Sequence, residues 1–481
     1  MPRQIATLIY CLIIFWLFRI NKDSEAKTSR ALWLPFVWVA IAMSREVSQW
    51  LGMFGLGFGS GRLTPDFYLE GSPIDRFLSL GLTIFAIIVL AHRQGRVGTL
   101  LRANKPIILF FSYCAISIIW SDYPDVAFKR WIKAVGDLAM VLVVLTEIDP
   151  LVAIRRLFAR IGFILLPLSL LFIKYYPEIG RSYSNFLGQA VYVGVTTNKN
   201  ALGMITMLLG IACLWSFLRA REERRQTQES GPMIAQGILL GIVIWLFVMA
   251  NSATSLSCFL MASVFLLAVH LYRFARKPVA AHIFALAVVV LSVIALFFNS
   301  GGELVGTLGR ESTLTGRTDI WKLVLSMSGS PLFGTGFESF WLGHRLAKVW
   351  NVYRFHLNES HNGYLEVYVN LGWIGIVMLA LLLVTGYQNL YAAFRRDPSA
   401  ASLKLTFFVI TMVYNLTEAA YRVTNPIWIV FILTAIAIPQ IPTPEESPPI
   451  RIRKAKTSDQ VPAQSESVLA RETREESFET L

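Results

Sequence analysis

The sequence predicts an all-α polytopic membrane protein, and three observations carry that prediction. Apolar residues come in runs of roughly 15–22, about the length that crosses a ~30 Å hydrocarbon core as a helix. Of the 481 residues, 55% are hydrophobic and 16% charged, with a mean hydropathy of +0.54, whereas an average soluble domain is nearer ~25% charged. Lys and Arg gather in short loops that fall on one side when the runs are threaded alternately.

The runs lie at 5–20, 31–43, 77–91, 106–120, 131–145, 157–173, 201–218, 233–250, 254–271, 281–298, 364–387, 403–416 and 426–438, so about 12–13 transmembrane helices are expected. The first run is preceded only by Arg3 and followed by no small-residue cleavage site, and reads as a retained helix rather than a signal peptide. The basic loops are 92–105, 155–160, Arg219-Ala220-Arg221-Glu222-Glu223-Arg224-Arg225, 273–277 and 395–396. The positive-inside rule makes their side cytoplasmic. The periplasmic side then receives 44–76, 121–130, 174–200, 418–425 and one large polar loop, 299–363, with the N-terminus outside.

The formal charge of +13 follows from those cytoplasmic loops, so the bilayer and not nucleic acid is the expected partner. Cys11, Cys114, Cys213 and Cys258 all lie in apolar runs without metal-ligand spacing, and are expected as small buried hydrophobes. The tail 439–481 is rich in Pro, Ser, Glu and Arg and is expected to be a disordered cytoplasmic extension.

Chemistry concentrates in Glu359-Ser360-His361-Asn362-Gly363-Tyr364-Leu365-Glu366, which closes the large loop and opens an apolar helix. Imidazole titrates near neutral pH, so His361 is a candidate general base, with Glu359 a substrate-binding candidate beside it. His344, His356 and His361 share the loop, but spacings of twelve and five put no pair on one helical face, and no metal or other cofactor is expected. Arg310 and Arg317 lie in the same loop. Gly316 is read as a turn before Arg317, with an amphipathic helix running on to Ser326. A guanidinium presents a planar fork suited to phosphate oxygens; the structural alternative for these arginines is pairing with Glu311 or Asp319. Gly334-Thr335-Gly336-Phe337 reads as a tight turn and lacks a full phosphate-loop pattern. Lys199 and Asn200 head a span, where helix capping and substrate binding are both open readings. Glu418 and Arg422 form a polar pair between the last two helices, and a carboxylate at membrane depth is costly enough to have a purpose.

In this order, Asn198-Lys199-Asn200-Ala201-Leu202-Gly203, Gly316-Arg317-Thr318-Asp319-Ile320-Trp321, Gly334-Thr335-Gly336-Phe337 and Ser360-His361-Asn362-Gly363-Tyr364-Leu365-Glu366, followed by Gly372-Trp373-Ile374-Gly375, resemble the O-antigen polymerase and ligase superfamily (Wzy/WaaL-type), and within it the ExoQ-like exopolysaccharide polymerases. The resemblance divides the chain into N-terminal helices 1–196, a polymerase/ligase-like core 197–375 that includes the loop 299–363, and C-terminal helices 376–438. It implies a GT-C-like fold and an inverting, metal-independent glycosyl transfer from undecaprenyl diphosphate at the periplasmic face of the bacterial inner membrane. By position, His361 would be the base that activates the acceptor hydroxyl and Arg317 would bind the diphosphate. Many members carry a second essential arginine in a Ser-Arg-Thr-like turn; here the corresponding turn reads Asn251-Ser252-Ala253-Thr254-Ser255. Arg310, Arg181 and Lys199 are the candidate substitutes.

The expected function is therefore polymerisation of lipid-linked repeat units into exopolysaccharide, with a chain-length regulator and export machinery as partners implied by the resemblance. The alternatives are ligation of finished glycan to lipid A-core, and transport of the lipid-linked sugar. Transport predicts charges along several spans near mid-membrane, whereas here the polar groups cluster at span ends.

Overall fold

A computed structural model describes residues 1–21, 28–56, 69, 71–183, 189–272, 277–297, 313–353 and 356–439. The expected disordered tail and Arg310 lie outside the described residues. The helices, in chain order, are α1 (Arg3–Ile20), α2 (Trp33–Ala42), α3 (Val47–Met53), α4 (Pro73–Ala91), α5 (Gln94–Ala103), α6 (Lys105–Ile116), α7 (Pro124–Leu145), α8 (Pro150–Tyr175), the single turn α9 (Pro177–Gly180), α10 (Lys199–Thr227), α11 (Gly231–Ala250), α12 (Ala253–Leu271), α13 (Pro278–Phe297), α14 (Thr313–Ser326), α15 (Gly343–Val352), α16 (Gly363–Arg396), α17 (Pro398–Thr417) and α18 (Pro426–Ala435). One two-stranded antiparallel hairpin, β1 (Arg181–Tyr183) with β2 (Ala190–Tyr192), sits between α9 and α10.

Each of the thirteen apolar runs forms a helix over most of its described length, with Met43 and residues 436–438 beyond the helix ends, but they are not thirteen equivalent spans. Among the described residues eight helices are long and apolar enough to cross a membrane, namely α1, α4, α8, α10, α11, α12, α16 and α17. Two bent pairs, Arg30–Ala42 with α3 at 61° and α5 with Lys105–Trp120 at 89°, raise the count to ten. The expectation of 12–13 exceeded this for two physical reasons. The apolar helix α18 is short at ten residues, and α7 carries Asp125, Lys129, Arg130, Lys133 and Asp137.

The helices α8, α10 and α17 are the most buried and form the centre of the bundle. Phe163, Phe407, Phe408 and Phe431 are fully buried there. By contrast α1 and α4 expose Leu8, Phe15, Phe77 and Phe85, an outward apolar surface suited to lipid. Cys114, Cys213 and Cys258 are buried as expected; Cys11 instead lies exposed, on outward-facing α1.

A second, smaller hydrophobic cluster joins Ile320 and Val324 of α14, Phe340, Trp341, Leu346 and Val349 at α15, and Leu357 and Val369. It seats α14 against the start of α16. The helix begins at Thr313, so Gly316 lies inside its first turns rather than in a turn before Arg317.

The Gly334-Thr335-Gly336 turn owes its composition to α16. Gly372 breaks that helix with φ 66° and ψ −164°, which frees carbonyls upstream. Thr335 N–H donates to Val369 O at 3.0 Å and Gly336 N–H to Asn370 O at 2.9 Å. A Cβ on Gly334 would stand 2.4 Å from Asn370 C, and one on Gly372 would stand 2.2 Å from Leu332 O. The two segments meet backbone to backbone, which only glycine permits.

Candidate active site

The site is built on the N-terminus of α16. Asn362 is the N-cap, its Oδ1 accepting from Leu365 N–H at 2.9 Å, the role for which Asn is favoured. Gly363 follows because a Cβ there would stand 1.9 Å from Asn415 Oδ1 of α17. His361 has φ 54°, a left-handed conformation that costs a non-glycine residue energy and is tolerated where surroundings enforce it. Here they do so through Ser360. Its N–H donates to Glu366 Oε1 at 2.6 Å, and its carbonyl accepts from Trp321 Nε1 at 2.8 Å. Trp341 Nε1 in turn donates to the Glu366 carboxylate at 2.8 Å. Two tryptophans and a buried glutamate thus fix the backbone from which the imidazole projects.

Around that imidazole four charged side chains converge. His361 Nδ1 lies 3.1 Å from Glu359 Oε1 and 3.4 Å from Glu418 Oε2. Arg317 Nη2 donates to Glu418 Oε1 at 3.2 Å. Arg422 Nη1 lies 3.7 Å from Glu359 Oε2 and donates to Asn358 O at 3.2 Å. The order is Arg317, Glu418, His361, Glu359, Arg422, with alternating charge if the imidazole is protonated.

Electrostatics favours that protonated form. Burial by itself would lower the pKa of His361, but the hydrogen bonds and charges of Glu359 and Glu418 outweigh it and raise the pKa to about 10. Burial would likewise raise the Glu359 pKa, and contact with His361 with the charges of His361, Arg422 and Arg317 reverses this, holding it below the ordinary value. With two carboxylates against two guanidiniums and one imidazolium, the cluster keeps one positive charge in excess. That excess makes the cluster electrostatically favourable to an anion.

The same atoms have a second property that histidine spacing did not foretell. Glu359, His361 and Glu418 offer ligand atoms all within 4.8 Å of one another, a one-histidine, two-carboxylate set of the kind a divalent cation accepts. In this arrangement both carboxylates already carry a guanidinium, so a metal would have to displace or neighbour two fixed positive charges.

Of the residues singled out in the sequence, Arg317, Glu359, His361 and Glu418 are brought together. Arg317 pairs with Glu418, not with Asp319, whose partner is Lys322 at 3.7 Å. Glu418 pairs with Arg317 and His361, not with Arg422. Three others are not gathered into the cluster. Arg181 donates from Nε to Ile173 O at 3.0 Å and stacks over Tyr192. Lys199 and Asn200 sit in the first turn of α10, capped by Asn198, whose Oδ1 accepts from Ala201 N–H at 2.8 Å. The residue under-weighted by sequence is Arg422, which supplies the second guanidinium. Its signal was present: a cation in a short polar segment between two apolar helices.

Residues 238–380 match the family described as O-Antigen ligase (Wzy_C). The match takes in Arg317, Glu359 and His361 and stops short of Glu418 and Arg422. The apolar helices make this a multi-pass membrane protein, of which residues 238–380 are similar to that family. The chain is similar to the exopolysaccharide production protein ExoQ of Rhizobium meliloti (strain 1021), at 26% identity over 295 residues, 58% of this chain and 64% of that protein. The match therefore spans less than two thirds of the relative's length.

Proposed function

We propose that the protein is a membrane glycosyltransferase that polymerises undecaprenyl-diphosphate-linked repeat units into exopolysaccharide at the periplasmic face of the bacterial inner membrane. The observation that most supports this is the convergence of Arg317, Arg422 and His361 around two carboxylates at the head of a membrane-spanning helix. In this reading the donor's diphosphate binds the two guanidiniums, whose forked donors match its oxygens. The acceptor hydroxyl oxygen attacks the anomeric carbon from the face opposite the diphosphate. The bond from that carbon to the diphosphate oxygen breaks, inverting the centre, and undecaprenyl diphosphate leaves with the electron pair. Fixed positive charge aimed at the leaving group stabilises it as that charge develops. The guanidiniums supply the charge that a metal would, which supports a metal-independent reaction.

The hydroxyl proton goes to the Glu359–His361–Glu418 unit. A free neutral imidazole, the base expected from sequence, is disfavoured by two carboxylates facing Nδ1. We assign the proton to a carboxylate oxygen of the unit, with the imidazolium holding both carboxylates in place and adding to the positive field.

Ligation of glycan to lipid A-core is the second reading, favoured by the likeness of residues 238–380 to the O-Antigen ligase family. One experiment separates the two. A deletion strain is complemented with wild type or His361→Ala, and lipid-linked glycans, secreted polymer and lipopolysaccharide are analysed by mass spectrometry. Polymerase action predicts single repeat units accumulating on undecaprenyl diphosphate and loss of secreted polymer in the variant. Long polymer stranded on undecaprenyl diphosphate, with lipopolysaccharide lacking it, identifies a ligase. Normal products in His361→Ala remove the cluster as the site.

A further inference from the structure

A second polar cavity lies beside the cluster, in a part of the chain that the family match does not reach. Its volume is about 190 Å³, far beyond the roughly 10–15 Å³ that one water needs. Trp38, Arg45, Glu46, Gln49, Asp75 and Lys133 line it. They come from α2, from the bend between α2 and α3, and from α3, α4 and α7. Thr424 also lines it, and Thr424 stands two residues from Arg422. The segment 418–425 therefore faces the charged cluster with Glu418 and Arg422 and the cavity with Thr424.

Arg45 shows that the cavity is not simply a solvated cleft. It is 4% exposed, and among the described residues no carboxylate pairs with it. Its Nη2 donates to Ile179 O at 2.8 Å and Nη1 reaches Met53 Sδ, while its Nε–H is buried with no partner. A buried donor without an acceptor is costly, so this guanidinium is held as a desolvated charge in the cavity wall. The other walls are held firmly. Asp75 accepts from Ser48 N–H at 3.1 Å and from Ser48 Oγ. Trp38 Nε1 donates to Asp137 Oδ1 at 2.8 Å, and Asp137 Oδ2 accepts from Thr424 N–H at 2.8 Å, tying this wall to the cluster's own loop.

The lining selects among ligand classes. Glu46 and Asp75 repel a diphosphate, Arg45 and Lys133 repel a cation, and four charged groups repel a lipid chain. A polyhydroxylated ring suits all of them, because each hydroxyl both donates to carboxylates and accepts from cations, and the indole of Trp38 meets its apolar face. We infer that this cavity is a subsite for a sugar residue of the acceptor glycan, positioned by the 418–425 segment so that the neighbouring hydroxyl reaches the His361 cluster. This rests on the proposed transferase reading.

The test uses the full chain in lipid nanodiscs and, as probe, oligosaccharides released by partial acid hydrolysis of the host strain's exopolysaccharide. Binding is measured by saturation-transfer NMR titration, and transfer from lipid-linked donor to the same probe is measured separately. Lys133→Gln and Gln49→Ala, two substitutions outside the buried core, are expected to weaken probe binding at least tenfold and raise the acceptor KM in parallel, with the donor KM unchanged. Arg317→Ala is expected to bind the probe normally. Absence of binding to wild type, or equal binding by wild type and both cavity variants, overturns the subsite. Probe binding that depends on Lys133 and Gln49 without any transfer by wild type upholds the subsite and counts against the transferase reading instead.

Discussion

Arg317 of α14 and Glu418 at the end of α17 are 101 residues apart in sequence and form an ion pair at 3.2 Å. The pair is largely buried, at 19% and 10% side-chain exposure, so screening by water is weak and geometry counts. Through Glu418 the guanidinium is coupled to His361, and through His361 and Glu359 to Arg422.

Replacing Arg317 by Ala is expected to lower the initial rate of chain elongation by about 10²–10³-fold, the usual cost of losing one donor aimed at developing negative charge. Arg317→Lys is expected to fail nearly as badly, because an ammonium cannot present a planar fork. Elongation assays on inserted, purified variants decide this, and full activity with lysine would leave only a point charge to explain.

Arg422→Ala is expected to match Arg317→Ala within about tenfold in rate, since both guanidiniums hold the same leaving group in the proposed mechanism. Ala253→Arg, which places a guanidinium in the 251–255 turn, is expected to leave the rate of Arg422→Ala low. Near-normal elongation by Arg422→Ala would confine the anion site to Arg317 and His361.

The raised pKa of His361 sets two pH dependences. Its folded-state pKa of about 10 stands above the ordinary 6.5. The stabilisation is therefore complete below about 6.5 and is lost as pH rises through about 10. Unfolding of wild type and His361→Gln in detergent should accordingly differ most below neutrality and converge at high pH. Turnover is expected to hold from pH 7 to 9 and fall through about 10 as the imidazolium is lost. A rate that instead climbs tenfold per unit toward pH 10 would assign the base to the neutral imidazole.

Gly372→Ala should cost about 3 kcal/mol of stability, combining a left-handed backbone with a contact between backbones that cannot separate. A Cβ there meets Leu332 O at 2.2 Å and Phe333 N at 2.5 Å. The measurement is thermal unfolding of the purified protein beside wild type, with activity falling in step because the Gly334-Gly336 turn loses its seat.

Much of the site was readable because polar residues stand out in an apolar chain. His361, Glu359, Arg317 and Glu418 each interrupt a hydrophobic context, and the cost of burying charge marks such positions. Pairings were not readable. Spacing offered Asp319 to Arg317 and Arg422 to Glu418, both near in sequence. Instead Asp319 lies on α14 facing Lys322, and the irregular 418–425 segment, with Thr424 at φ 58°, turns Arg422 away from Glu418 toward Glu359 and Asn358. Lys199 and Arg181 looked equally eligible as cations, and only their positions on α10 and β1 separate them from the cluster.

The sequence by itself determined the solvent: runs of apolar residues must be helical in lipid, because no water there can satisfy a free backbone group. It also determined where glycine, asparagine and histidine had to stand for α16 to start and break. The tertiary structure alone decided which charges meet. Coulombic pairing falls off over a few ångströms and depends on side-chain direction, and no spacing rule connects Arg317 to Glu418 or Glu359 to Arg422. Those distances exist only once α14 is seated on its own small core and α17 has passed beside the head of α16.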